Sequence, residues 1–216
     1  MRLEACLFDL DGVLVDTAKY HFLAWKQLAN SLGFDFTEEE NEQLKGISRV
    51  ESLRKILSWA ELQMPQEKQD EFASLKNSWY VEMISGMTEK EVLPGALRLL
   101  EELKENNIKI GLGSASKNAK LILANTGLTP FFEALVDGNL VSKSKPDPEV
   151  FLRGAALLAV SPDSCVVFED ASAGVEAALN AGMKAIGIGS EKELGRAHLI
   201  VEDLTKIDLK TIQNLF

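Results

Sequence analysis

The apolar positions along the chain change period several times, and each change marks an element. Ala5-Cys6-Leu7-Phe8 is apolar without alternation, the pattern of a strand buried on both faces in a parallel sheet. The run ends in Asp9-Leu10-Asp11-Gly12. Two carboxylates two residues apart would share one face of a continuing strand, where they would repel and resist desolvation. The strand is therefore expected to stop at Asp9 and the chain to turn through Gly12. Both acids then stand at the carboxyl end of the sheet, where open α/β folds bind their ligands.

Beyond Leu14 the period becomes helical. Phe22, Trp25, Leu28, Ala29 and Leu32 recur at three- and four-residue steps, and Gly33 follows as a C-cap would. Thr37 with Glu40 and Ser48 with Glu51 have the spacing of capping boxes, each opening a helix. After Pro65 comes a long helix carrying Phe72, Leu75, Trp79, Val81 and Met83, and Pro94-Gly95 ends the helical stretch. From there apolar strands at Ile108–Leu112, Ala134–Asp137, Val166–Phe168 and Ala185–Ile188 alternate with helices. Asp147-Pro148 opens one of these in an N-cap/N1 arrangement, and Ala173–Ala181 forms another. Such alternation predicts an α/β fold, a Rossmann-like core with a mainly parallel sheet flanked by helices and right-handed crossovers. The core is expected to be discontinuous, residues 1–14 and 93–216, with an inserted α-helical cap over 15–92 and hinges near Leu14–Asp16 and Val92–Pro94.

Composition narrows the partners. With 46% hydrophobic and 26% charged residues among 216, the chain has ample material for a core. It shows no basic leader and no run of about 18 apolar residues, so a cytoplasmic location is the expectation. The net charge of −10 comes without any block of Lys or Arg, so neither nucleic acid nor a membrane is an expected partner. A phosphate ester would be repelled by that overall field, and its binding would require a metal and a few placed cations. Cys6 and Cys165 lie inside apolar runs and read as small buried hydrophobes in a reducing compartment.

Candidate chemistry gathers at the predicted strand ends. Ser114-Ala115-Ser116-Lys117-Asn118 offers small residues and backbone N–H groups at a helix start, although a serine N-cap explains Ser114 equally well. Lys145 stands just before a helix, where the positive helix end disfavours a cation unless an anion is near; an idle exposed lysine is the alternative. Glu169-Asp170 closes another buried strand, on the same edge as Asp9. A cluster of acids there is costly without a cation, and hard oxygen ligands fit Mg²⁺. Asp-Leu-Asp-Gly alone is also a common turn.

Taken in order, Asp9/Asp11, Ser114, Lys145 and Glu169/Asp170 resemble the four motifs of the haloacid dehalogenase (HAD) superfamily. The resemblance implies a nucleophilic Asp9, Asp11 as general acid/base, and Ser114 and Lys145 on the phosphoryl oxygens. It also implies one Mg²⁺ per chain, held by Asp9, the Asp11 carbonyl, Glu169 and Asp170. Further segments, Leu14–Lys26, Leu44-Lys45-Gly46-Ile47-Ser48-Arg49 and Lys76-Asn77, are similar to the sugar-phosphate mutases of that superfamily. This implies interconversion of β-D-glucose 1-phosphate and glucose 6-phosphate, with β-glucose 1,6-bisphosphate as intermediate and activator, by a monomer acting on small-molecule sugar phosphates. The implied substrate-binding set is His21, Trp25, Gly46, Arg49, Lys76, Ser114, Ala115, Ser116, Asn118 and Lys145. Arg49 falls at the first position of a capped helix, where guanidinium and free N–H groups can share a distal phosphate. His21 reads as a group that orders Asp11 or as a core histidine, and Lys76 as its partner or a substrate contact. A sugar-phosphate phosphatase on the same core, and a catalytically silent binding protein, are the alternatives.

Overall fold

The computed structural model describes residues 2–216. Its first strand, β1 (Ala5–Phe8), is buried at every position. Ala5 and Leu7 belong to the apolar cluster on one face of the sheet, Cys6 and Phe8 to the cluster on the other, which is why the sequence shows no alternation here. The chain then turns tightly, with the Leu14 and Val15 N–H groups donating to the Leu10 carbonyl at 3.0 and 3.2 Å.

Four helices follow: α1 (Ala18–Ser31), α2 (Glu38–Glu42), α3 (Arg49–Trp59) and α4 (Gln66–Ile84). Both expected capping boxes are formed, Thr37 with Glu40 and Ser48 with Glu51, each satisfying two backbone N–H groups that a helix start leaves free. These helices bury a cluster of their own around Trp25, Leu28, Phe36, Leu53 and Ile56. Ala24, Tyr80 and Ile84 instead join the cluster on the sheet, so α1 and α4 are also seated on it. The two crossings into this segment run side by side: Val15 bridges Val92 in antiparallel fashion, and Leu93 N–H donates to the Leu14 carbonyl at 2.9 Å.

The remaining chain alternates as expected: α5 (Ala96–Glu105), β2 (Lys109–Gly113), α6 (Ala119–Asn125), β3 (Ala134–Val136), α7 (Glu149–Leu157), β4 (Cys165–Glu169), α8 (Ser172–Asn180) and β5 (Lys184–Ile188). Two details differ from the sequence reading. A sixth strand, β6 (Leu199–Val201), closes the sheet after a short α9 (Glu191–Leu194), and α7 has Pro148 rather than Asp147 at its N-cap. Asp147 still caps from one residue earlier, its Oδ1 accepting Glu149 N–H at 3.0 Å. The chain ends in α10 (Leu209–Gln213).

All pairings between strands are parallel, in the order β3-β2-β1-β4-β5-β6. The strand order reverses at β1, which lies between β2 and β4, and ligands of such sheets bind at the carboxyl ends beside that point. Phe8 registers with both Leu112 and Phe168, and the Phe8 and Phe168 rings stack at 4.5 Å between centroids. Asp9, Gly113 and Glu169, each one residue further on, are thus brought to one level of the rim. No helix among the described residues is long and apolar enough to cross a membrane.

Candidate active site

Asp9 continues the sheet by one bond, its N–H donating to the Phe168 carbonyl at 2.9 Å, and is 5% exposed. Its Oδ2 accepts the Asp11 N–H at 3.0 Å, a local turn that fixes the carboxylate at the strand end. Its Oδ1 accepts from Lys145 Nζ at 2.5 Å, and the same ammonium donates to Glu169 Oε1 at 2.5 Å. Lys145 is therefore far from an idle lysine. Burial alone would pull the ammonium down, but the two carboxylates together push it above its ordinary value.

Glu169 is fully buried and has both oxygens engaged, Oε1 by Lys145 and Oε2 by the Ala171 N–H at 3.0 Å, at the start of α8. The sequence reading makes it a metal ligand; in this structure its side chain holds Lys145. Asp170 is different. Its side chain is 10% exposed, and among the described residues its only cation is Lys45, at 3.5 Å. Burial, then Glu169 and Asp9, push its carboxyl well above the usual carboxylate range. Gly12 has φ +81°, and a Cβ there would stand 2.1 Å from Asp170 Oδ2, so only glycine lets the turn after Asp11 lie against that carboxylate.

Asp11 has its side chain bonded to the hydroxyl of Thr17. Burial and then Asp9 push its carboxyl up to about 6, against the Thr17 hydroxyl, Lys145 and Lys76. A carboxyl poised near neutrality suits a group that must both give and take a proton.

Ser114 is fully buried; its Oγ accepts the Ser116 N–H at 3.1 Å, and Ser116 Oγ accepts the Asn118 N–H at 3.2 Å. These two turns shape the loop, and Asn118, not Ser114, takes the N-cap position of α6. Asn118 Nδ2 reaches across to α4 and donates to Asn77 Oδ1 at 2.9 Å.

The facing wall comes from α1, α3 and α4. Lys76 is 2% exposed, with Nζ 3.0 Å from His21 Nδ1 and 4.5 and 4.6 Å from the ring centres of Trp25 and Tyr80. Burial first, then Arg49, push this lysine well below its ordinary value; burial first, then Lys76, do the same to His21. A neutral His21 accepting at Nδ1 carries its proton on Nε2. Arg49 opens α3, half-buried. Among the described residues neither Arg49 nor Lys76 is in an ion pair with a carboxylate.

A cavity of about 950 Å³ separates the two walls. Asp9, Asp11, Ser114, Ala115, Ser116, Asn118, Lys145 and Asp170 line it from the sheet side. His21, Trp25, Gly46, Arg49 and Lys76 line it from the helical side, so of the candidate residues only Glu169 lies behind the wall. The φ of +74° at Gly46, whose Cβ would be 3.1 Å from that of Ala171, lets its loop approach the sheet closely. The sequence reading left out Thr17, Lys45 and Tyr80, which also line the cavity. Thr17 has the look of a helix N-cap, but makes no cap bond because its hydroxyl serves Asp11.

Among the described residues no group of three or more His, Cys, Asp or Glu side chains is arranged to hold a metal ion. The donor set nevertheless fits Mg²⁺, which keeps several waters and needs only one or two protein carboxylates. Asp170 supplies a buried, nearly unpaired carboxylate whose charge is disfavoured by Asp9 and Glu169, the condition a bound divalent cation relieves.

A buried aspartate just past the end of β1, a lysine bridging it to a second strand end and a helical layer above them define a class. The chain belongs to the haloacid dehalogenase-like hydrolases, whose family model matches residues 6–188. It is 45% identical to the β-phosphoglucomutase of Bacillus subtilis, over 97% of this chain and 94% of that protein. It is 32% identical to a phosphorylated carbohydrates phosphatase of Thermotoga maritima, over 85% of this chain and 84% of the relative. Its fold superposes on the crystal structure of β-phosphoglucomutase from Clostridium difficile with a TM-score of 0.95 and 42% identity, covering 98% and 96% of the two chains.

Proposed function

We propose that this protein is a β-phosphoglucomutase, interconverting β-D-glucose 1-phosphate and glucose 6-phosphate through an aspartyl phosphate on Asp9 and β-glucose 1,6-bisphosphate. The observation that carries this over simple hydrolysis is the pair of cationic ends in one cavity: Lys145 beside Asp9, and Arg49 on the opposite wall. A mutase must hold a bisphosphate at both ends, whereas a phosphatase needs one. Residues 15–92 act as a cap over a core made of 1–14 and 93–216.

Phosphorylated Asp9 gives its phosphoryl group to the sugar's C6 hydroxyl while Asp11 takes the hydroxyl proton. The bisphosphate turns round, Asp9 attacks the phosphorus at C1, and Asp11 returns the proton to the departing sugar oxygen. Ser114 and Lys145 hold the transferring oxygens, and Lys145, kept charged by Asp9 and Glu169, offsets repulsion between the Asp9 carboxylate and the incoming phosphate. Asp9, the Asp11 carbonyl and Asp170 would hold Mg²⁺, which would add to the neutralisation of the phosphoryl oxygens. Arg49, with Ser116 and Asn118, receives the distal phosphate. The cap excludes water, which would otherwise take the phosphoryl group. The working form is a cytoplasmic monomer acting on small-molecule sugar phosphates.

The test is a coupled assay on both glucose 1-phosphate anomers, with and without the bisphosphate, while free phosphate is followed. Conversion of the β anomer, stimulated by bisphosphate and with little phosphate release, is expected. Stoichiometric phosphate release instead makes the protein a sugar-phosphate phosphatase. Asp9→Asn, checked for deamidation, is expected to lose turnover and phosphoenzyme labelling together; near-normal rates refute the mechanism.

A further inference from the structure

Four of the five residues of α2 are glutamates, and Asn41 is the one turned inward, 8% exposed. The inward face of a short amphipathic helix is ordinarily apolar, as it is three residues on at Leu44, which joins the cluster around Trp25. Asparagine is a weak helix former and is mostly found exposed. The backbone of Asn41 is fully used: its N–H donates to the Thr37 carbonyl at 3.1 Å, and its carbonyl accepts the Leu44 N–H at 3.0 Å. Its side-chain amide borders the cavity and makes no hydrogen bond among the described residues, whereas Asn77 and Asn118, which also line the cavity, bond each other at 2.9 Å.

Buried polar groups without partners cost free energy and are correspondingly rare. An amide left open at a cavity wall is completed by whatever fills the cavity. Cations hold the two ends of this one, Lys145 beside Asp9 and Arg49 opposite. Between the two phosphates of a sugar bisphosphate lies an uncharged ring whose polar groups are hydroxyls. An amide carries donors and an acceptor without charge, the complement of a hydroxyl that both gives and accepts. Trp25, Leu44 and Ala73, of the same helical cluster, line the cavity as apolar surface. A single amide in a wall of that kind sets how a ring is seated and which of its hydroxyls are required.

We propose that Asn41 is a specificity-determining residue whose amide hydrogen-bonds a ring hydroxyl of the bound sugar phosphate. The inference rests on the sugar-phosphate reading of the cavity and adds a contact at the middle of the substrate, away from both phosphates. The amide is idle in the unliganded protein and is satisfied only by a sugar that presents a hydroxyl at that place. A sugar lacking the hydroxyl leaves the amide buried and unpaired, and that cost is the discrimination.

Asn41→Ala is compared with the wild type on β-glucose 1-phosphate and on its 2-, 3- and 4-deoxy analogues. The melting temperature of the variant is expected to match or exceed that of the wild type, because the amide makes no bond in the unliganded protein and alanine is the better helix former. With the parent substrate kcat/KM falls roughly five- to tenfold, the worth of one ordinary hydrogen bond, while hydrolysis of a small phosphoester that carries no ring stays within about twofold. With one of the three analogues the variant loses nothing more, because the hydroxyl that Asn41 meets is already gone. An unchanged kcat/KM for the parent substrate overturns the proposal, as do losses that multiply independently with all three analogues. A lowered melting temperature with equal losses on every substrate, the small phosphoester included, marks a structural amide and overturns it too. If the wild type proves to release phosphate without isomerising, the mutase reading fails; the same comparison is then made on phosphate release, where each outcome keeps its meaning for Asn41.

Discussion

Lys145 is the residue whose removal tests the electrostatics of the site most directly. Lys145→Met keeps most of the side-chain volume and deletes the charge that stands between Asp9 and Glu169. The three side chains are 1%, 8% and 0% exposed, and both bonds are 2.5 Å long, so solvent cannot replace the lost partner. Breaking a buried ion pair from one side costs about 3–5 kcal/mol, because a charge is left uncompensated. At pH 8 that loss is expected in full. Burial pushes the Glu169 carboxyl up to about 7, against Lys145, and without the lysine only the Ala171 N–H opposes the rise. A folded carboxyl that binds its proton more tightly than the unfolded one makes the protein more stable as pH falls. The deficit of the variant should therefore shrink between pH 8 and pH 5.5. Lys145→Met/Glu169→Gln, which also removes the stranded charge, should recover at least half of the deficit at pH 8. Urea unfolding followed by far-UV circular dichroism is the assay of choice. Tryptophan emission is the poorer probe, since Trp25, Trp59 and Trp79 all lie on α1, α3 and α4 and report on the helical segment. A loss at pH 8 below about 1 kcal/mol, the size of a surface pair, or a double variant no better than the single one, refutes this account.

Three other outcomes are expected. Arg49→Ala should impair isomerisation at least tenfold more than hydrolysis of a small phosphoester, measured side by side; equal losses remove Arg49 from the distal phosphate site. Asp170→Asn should weaken Mg²⁺ binding at least tenfold by titration calorimetry and raise the melting temperature of the metal-free protein, because it relieves a carboxylate crowded by Glu169 and Asp9. Unchanged affinity would take Asp170 out of the metal site. Gly12→Ala should lower both stability and kcat: the backbone angle alone costs about 1–2 kcal/mol, and the new methyl group must displace Asp170. An active Gly12→Ala of normal stability refutes the close packing of this turn.

Much of the fold was legible because local rules and global packing agree. Residues 5–8 form a strand buried on both faces, which is why an unbroken apolar run was a safe sign of parallel sheet. The capping boxes at Thr37 and Ser48 declared their helices from four residues each. β6 was not legible, since Leu199–Val201 is three residues long and only half-buried, too short to show a period. Within the site, Asp9, Lys145 and Asp170 could be found because acids and a lysine at strand ends and helix starts defy the usual preferences. Thr17 escaped because a threonine before a helix has an ordinary explanation, whereas its actual partner lies six residues back in a turn. Tyr80 escaped because a tyrosine on a long helix reads as core.

The paired crossings at Val15 and Val92 have a consequence beyond this molecule. Because the chain departs and returns at adjacent points, the number and shape of the helices strung between them can change without shifting any strand against its neighbour. Under the function proposed above, the strand ends assigned to the phosphoryl chemistry are thereby kept apart in sequence from the helices that face the other end of the cavity. One sheet can accept a new clientele by exchanging a single loop's worth of sequence.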